Sequence, residues 1–347
     1  MKSVFRGVGL AVALVVLGCG DGGAGAKASA EPGKSGAASA QSKSSGAPAG
    51  GSAKPGDKPA DKPADKPAAA GAVDVLKHMP KDCDEGRIFV AGGKLFTPES
   101  AEIINGLVTQ GLAQSKDAKK SEEVLKILKD GGIEPMKQLS DVAMCAAKDK
   151  KTVMVAAMDF SKVEKPADTL AKALEAGEGK PWKREDAGDV AYLTHPDGKS
   201  VLAVVGKAAI VIGDTKEVVE AAVKGPDGGS AFGDARSHVV WAKMVEDDTT
   251  VTLKEAGENH DLKISMKDKN AAKKKEELEK MAPMADELAK KEPMLAPLLP
   301  IVKNAKATVE GEMLTLATSF PKNTVADFLK GLKDKKLEDV MKGLPMK

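Results

Sequence analysis

Val201-Leu202-Ala203-Val204-Val205-Gly206-Lys207-Ala208-Ala209-Ile210-Val211-Ile212-Gly213 decides the fold class. Two apolar runs rich in Val, Ile and Ala flank a joint that is little more than Lys207. Runs of this length and composition read as strands. The joint is too short for a crossover helix, so the spacing predicts a tight antiparallel hairpin over 201–206 and 208–213. Immediately upstream, Pro196-Asp197-Gly198-Lys199 is a turn, and it connects the hairpin to another apolar run at 189–194. Further strands are expected at 87–91, 141–147 and 152–160.

Between the strands lie stripes with a helical period. Thr97-Pro98 opens the first, with Thr97 as N-cap and Pro98 at the first helical position. Ile103, Ile104, Leu107, Val108 and Leu112 then share a face. Val124, Leu125 and Leu128 mark a second helix, stopped by Gly131-Gly132. Ala167, Leu170, Ala171 and Leu174 mark a third, stopped at Gly177. Val218, Val219, Ala222 and Val223 mark a fourth, whose start at Asp214 and Glu217 has the form of a capping box. Strands joined mainly by short turns, with helices between them, predict an α+β body of mainly antiparallel sheet with helices on one face.

The second half repeats this order. Ser237-His238-Val239-Val240-Trp241-Ala242 echoes Ser140-Asp141-Val142-Ala143-Met144-Cys145. A strand at 261–266 runs into a helix near Asn270, as 152–160 runs into the helix at Pro166. A last strand, 313–320, leads to Val325-Ala326-Asp327-Phe328-Leu329-Lys330-Gly331, matching Val219-Glu220-Ala221-Ala222-Val223-Lys224-Gly225 in position and in its Lys-Gly stop. The expectation is two similar units, 73–230 and 231–347, with the repeat spanning about 140–225 and 237–331. One helix of the second unit, 269–292, is dense in Lys and Glu around a thin stripe of Leu278, Met281, Ala285 and Leu288. Pro283 should split it.

Ahead of the body, Lys2 and Arg6 precede an apolar run at 8–17 that is too short to span a bilayer, where about 20 residues are needed. The run closes on Val16-Leu17-Gly18-Cys19. This is a secretory signal over 1–18, and its end resembles the signal of bacterial lipoproteins: an aliphatic residue, a variable one, a small one, then cysteine. The resemblance implies cleavage after Gly18 and diacylglyceryl attachment to Cys19, often with N-acylation such as palmitate. Residues 19–72 would then be lipid anchor and tether. From Asp21 to Ala72 there is no Val, Ile, Leu, Met or aromatic residue, and the stretch ends in three Asp-Lys-Pro-Ala repeats. Without apolar area to bury, it should be disordered, with an end-to-end reach of roughly 40 Å. The layout of lipid cysteine, Ala/Lys/Pro tether and repeated α+β units resembles envelope lipoproteins of myxobacterial type. It implies an exported, lipid-anchored protein of the cell envelope, the outer membrane being favoured over the inner, with the membrane as its first partner. It transfers no active site.

The chain has 53 basic and 51 acidic residues, two of the basic ones in the signal, so the mature chain is balanced. Aromatics are 3% of the chain. Neither a basic field nor stacking platforms support nucleic-acid binding. Of the three cysteines, Cys83 and Cys145 remain once Cys19 is acylated. In an oxidising compartment an even pair is most simply a disulfide, on neighbouring strands with Cα atoms within about 7 Å. The competing reading is two unpaired cysteines, one buried in the sheet.

No catalytic or cofactor motif emerges. Gly198-Lys199-Ser200 has the end of a phosphate loop, but Leu193 stands where its first glycine belongs and a strand follows it. His78, His195, His238 and His260 are dispersed, without metal-ligand spacing. His195 and His260 read as exposed turn residues, and His238 opens a strand. Asp82-Cys83-Asp84-Glu85-Gly86 is acidic but lacks the alternating ligands of a calcium loop. The expectation is therefore no catalytic site, metal or cofactor, and a non-enzymatic binding or structural role. A carrier of an apolar ligand is the alternative, with the 14 methionines as an adaptable lining. An enzyme with a non-local site is the third reading.

Overall fold

A computed structural model describes residues 73–333 apart from 96, 114–117, 148–150, 246–247, 282 and 292. The signal 1–18, Cys19 and the tether 19–72 lie outside the described residues.

The strands form one 12-stranded sheet in the order β11-β12-β10-β9-β8-β1-β2-β3-β7-β6-β5-β4. All neighbours are antiparallel. In chain order the strands are β1 Gly86–Ala91, β2 Leu139–Ala147, β3 Lys151–Met158, β4 Lys183–Ala187, β5 Val190–Thr194, β6 Val201–Val205, β7 Ala209–Gly213, β8 Val240–Met244, β9 Thr249–Ala256, β10 Asn259–Lys267, β11 Lys306–Glu310 and β12 Met313–Pro321. The main helices are α1 Pro98–Ala113, α2 Ala118–Asp130, α3 Pro166–Glu178, α4 Lys216–Val223, α5 Ala271–Met281, α6 Met284–Lys291, α7 Leu299–Lys303 and α8 Thr324–Lys333.

The hairpin that decides the class is β6–β7, with Gly206 at φ 52° in its turn. Strands β5 to β7 are apolar at almost every position because both of their faces are covered, which is why their sequence does not alternate. Phe89, Ala143, Val155, Val211, Ala203 and Tyr192 lie across one face. They pack against α4 and the short turns Val75–His78 and Gly228–Phe232. Val142, Ala156, Ile210, Leu202 and Leu193 lie on the other, under α2 and α3. Helices on one face, as the sequence led us to expect, is therefore wrong for the first half. The continuous apolar runs carried that information.

Strands β9 to β12 alternate instead. Leu253, Leu262 and Phe320 face Val325 of α8 and Ile301 of α7, and Thr318 donates from Oγ1 to the Ile301 carbonyl at 2.8 Å. The opposite face of these strands is polar.

The two expected units share one sheet. β1 lies between them, pairing with β2 on one side and β8 on the other. Each half places its last strand beside the strand that precedes its helices, β7 on β3 and β12 on β10. The halves differ where the repeat predicts likeness. α4 packs on one face of the sheet and α8 on the other, and α8 also reaches Ala101 and Ile104 of α1.

Several local expectations are met with small shifts. Thr97 Oγ1 accepts from the Ser100 N–H at 3.2 Å, as its N-cap role requires. α3 runs through Gly177 and ends at Gly179, φ 73°. α8 likewise runs through Gly331. The N-cap of α4 is Thr215, not Asp214; Asp214 instead accepts the Thr152 N–H at 2.7 Å. The Lys/Glu-rich segment breaks around Pro283 into α5 and α6. Strands β4, β9 and β11 went unread. The outermost two, Lys-Arg-Glu-Asp-Ala and Lys-Ala-Thr-Val-Glu, carry charge rather than an apolar signal, the common protection of an exposed sheet edge.

Candidate functional site

Cys83 and Cys145 form a disulfide with Cα atoms 5.3 Å apart. Both are fully buried. Cys145 lies on β2, as expected. Cys83 is not on a strand: it lies in the loop ahead of β1, which folds back over the sheet. Arg87, paired with Cys145 in register, fixes that loop by donating from Nε to the Cys83 carbonyl at 2.6 Å and from Nη1 to the Ala231 carbonyl at 2.9 Å. The acidic run Asp82 to Gly86 is thus the approach to a buried crosslink.

The histidines are dispersed, but their expected exposure is corrected. His195 and Glu178 have side chains only 11% and 10% exposed. His195 Nε2 faces the Glu178 carboxylate, and Nδ1 faces Asp197. The Trp182 ring meets the imidazole edge-on, centroids 5.2 Å apart. This cluster fastens the end of α3 to the β5–β6 turn. The two carboxylates sit on opposite sides of the His195 ring, so the three residues do not converge on a single ion. His238 is buried just before β8, with Nδ1 3.0 Å from the Asp234 carbonyl. His78 Nδ1 lies 2.8 Å from the Ala222 carbonyl, which can only accept, so that nitrogen carries the proton.

His260 is buried against Phe320, and its Nδ1 has no hydrogen-bond partner among the described residues. Burial lowers its pKa below the ordinary 6.5, and Lys322 adds to the effect while Glu255 opposes it. A depressed folded pKa means that the unfolded chain binds the proton more readily. The stability it contributes is present above pH 6.5 and is lost as pH falls through the folded value. His260→Asn should therefore flatten the decline of the melting temperature between about pH 7 and pH 5. An identical decline in the variant would assign the acid sensitivity elsewhere.

A cleft of about 490 Å³ opens where the N-terminus of α3 meets the edge of the sheet. Its wall is charged. Arg184 of β4 is held by Asp168 of α3 and by Asp186, the latter at 2.9 Å from Nε. Glu164, Lys165, Asp189 and Lys207 complete the rim. The guanidinium is already neutralised by two carboxylates, so the cleft offers a polar, slightly acidic surface rather than an anion site. Sequence reading missed it because its charged residues come from an edge strand without apolar signal, from the start of α3 and from turns. Among the described residues no group of three His, Cys, Asp or Glu side chains is arranged to hold a metal, and no helix is long and apolar enough to cross a membrane.

No protein-family model matches the chain, and no curated protein matches it in sequence. In solved structures it has a distant likeness to TP0453. Against crystal form I the identity is 9% and the TM-score 0.37, over 77% of this chain and 100% of that one. Against crystal form III the identity is 9% and the TM-score 0.40, over 75% and 99%. Likeness at this level carries no inference about sites or chemistry.

Proposed function

We propose that this chain is an envelope lipoprotein, acylated at Cys19, whose body has a non-enzymatic binding or structural role at the membrane. The observation that carries the reading is Val16-Leu17-Gly18-Cys19 closing a short apolar run behind Lys2 and Arg6. The buried Cys83–Cys145 bridge supports the export half of it, because such crosslinks persist in oxidising compartments. The tether of about 50 residues then lets the body search a shell roughly 40 Å deep around its anchor.

A carrier of an apolar ligand is the second reading. One observation favours it: Leu262, Ile264, Met266 and Leu316 are only half-buried on the helix side of β10 and β12. The cleft itself speaks for neither an apolar cargo nor a lipid chain, since its rim is charged.

The test is metabolic labelling with a fatty acid. The native chain takes up label and partitions into the membrane fraction, whereas Cys19→Ser takes up none and accumulates unprocessed or soluble. Two acyl chains give a stable anchor where one gives a marginal one, so the expected shift is near complete. Label retained by the Ser variant would end the lipoprotein reading.

A further inference from the structure

We infer that the open polar face of β8 to β12 docks the body onto an anionic phospholipid surface. The inference rests on the lipoprotein reading, which brings that surface within reach, but its test does not use the anchor.

The face is defined by register. Lys263 of β10 and Lys306 of β11 both stand opposite Ala317 of β12. They are therefore two strand spacings apart, about 10 Å, with a small side chain between them. Thr250, Ser265, Thr315 and Thr308 form the adjacent row across β9, β10, β12 and β11. Ser265 and Thr315 share a hydrogen bond of 3.0 Å between their hydroxyls. Lys243 stands opposite Thr250 and extends this row onto β8.

The alternation of these strands puts five lysines on this face, Lys243, Lys254, Lys263, Lys267 and Lys306, against Asp261 and Glu310. Lys254 is engaged by Asp234 at 3.7 Å, and Lys267 by Glu312 at 3.7 Å. Lys243, Lys263 and Lys306 have no ion-pair partner among the described residues. Set against Asp261 and Glu310, the three unpaired lysines leave a local excess of one positive charge in a mature chain whose charges balance.

Its other chemistry suits phosphate groups better than a protein partner. The side chains are short hydroxyls and long flexible ammoniums, which donate to phosphate oxygens. A protein interface would need large apolar or aromatic anchors near its centre. The aromatic of this face, Trp241, is buried under Phe232 at the boundary with β1, centroids 5.9 Å apart. Affinity need not be high. A tethered body is held at an effective concentration in the millimolar range, so weak attraction is enough to orient it.

The experiment uses the mature chain from Gly20 onward, which keeps tether and body but has neither signal nor acyl group. Its partition onto phosphatidylglycerol–phosphatidylcholine vesicles is measured by co-sedimentation, with pure phosphatidylcholine vesicles beside it. A basic residue near an anionic surface contributes about 1 kcal/mol, or roughly fivefold in partition. The variant Lys243→Gln/Lys263→Gln/Lys306→Gln should therefore bind on the order of 100-fold more weakly, with an unchanged melting temperature. A control variant, Lys273→Gln/Lys275→Gln/Lys280→Gln on α5, changes net charge equally and should stay within about twofold of the parent. Salt at 1 M, where the Debye length is about 3 Å, should abolish binding. Equal losses in the two variants would mean a net-charge effect, and no loss in the first would mean binding through the tether; either overturns the proposal. So does capture of soluble polyphosphate without binding to the anionic vesicles. None of these outcomes bears on acylation, which the fatty-acid label decides separately.

Discussion

Replacing both bridge cysteines, Cys83→Ala with Cys145→Ala, is expected to lower stability by about 2–4 kcal/mol. The crosslink closes a loop with a sequence separation of 62. In the chain-entropy account, removing it returns the closure entropy of a loop of that size to the unfolded chain. Locally, the Cys83 loop would keep its hydrogen bond from Arg87 Nε, while Nη1 still ties Arg87 to the Ala231 carbonyl. The loop, with Val75, Leu76 and Met79 ahead of it, covers the core of β1 to β3. A loss of this size should lower the melting temperature by roughly 5–15 °C, and reductant should produce the same shift in the native chain. A melting curve indifferent to both treatments would show that the packing of Met79 and Cys83, rather than the bond, holds the segment.

How far the sequence led to this architecture depends on what each strand buries. The hairpin β6–β7 was legible because two apolar runs were separated by little more than one polar residue. The helix start at Thr97-Pro98 and the break at Pro283 were legible because their chemistry is local. The number of covered faces was misjudged, although Val201 to Val205 and Ala209 to Gly213 display it: a strand with one wet face alternates, and these do not. β9 to β12 do alternate, and there the expectation of helices on one face is right. β4 and β11 were missed because the charges that protect an edge also erase the apolar pattern. The candidate sites show the same division. The Cys83–Cys145 pair followed from counting cysteines in a chain whose signal reads as one for export. The His195–Glu178–Asp197 cluster did not, because Glu178 ends a helix and meets the β5–β6 turn only through the packing of α3 on the sheet. The charged cleft has the same origin, as Asp168 and Arg184 are brought together from a helix start and an edge strand. The repeat was visible as an echo of side chains, but the pairing of both halves with β1 is a tertiary fact with no local trace.

That pairing has an energetic consequence at Phe232, which stands at the expected boundary between the units, 230/231. Phe232 is fully buried. Its ring lies 5.9 Å from Trp241 of β8, and it belongs to the core formed by Phe89, Cys145 and Val219. The turn that carries it is seated on the N-terminal segment. Gly228 donates to the Met79 carbonyl at 2.8 Å and Asp227 to the Lys77 carbonyl at 2.9 Å. A Cβ at Gly228 would lie 2.1 Å from the Pro80 carbonyl oxygen, so only glycine permits this approach. Phe232 thus shares one core with Val75, Leu76 and Met79 of the N-terminal segment, with Phe89 and Cys145 of the first half of the sheet and with Trp241 of the second. Phe232→Ala should cost about 3–5 kcal/mol, the transfer of the ring plus the cavity it leaves. Because the cavity opens on both halves at once, calorimetry should show a single transition moved down as a whole, by roughly 10 °C or more. Two transitions, with only the lower displaced, would mean that the halves unfold separately and that β1–β8 pairing couples them weakly.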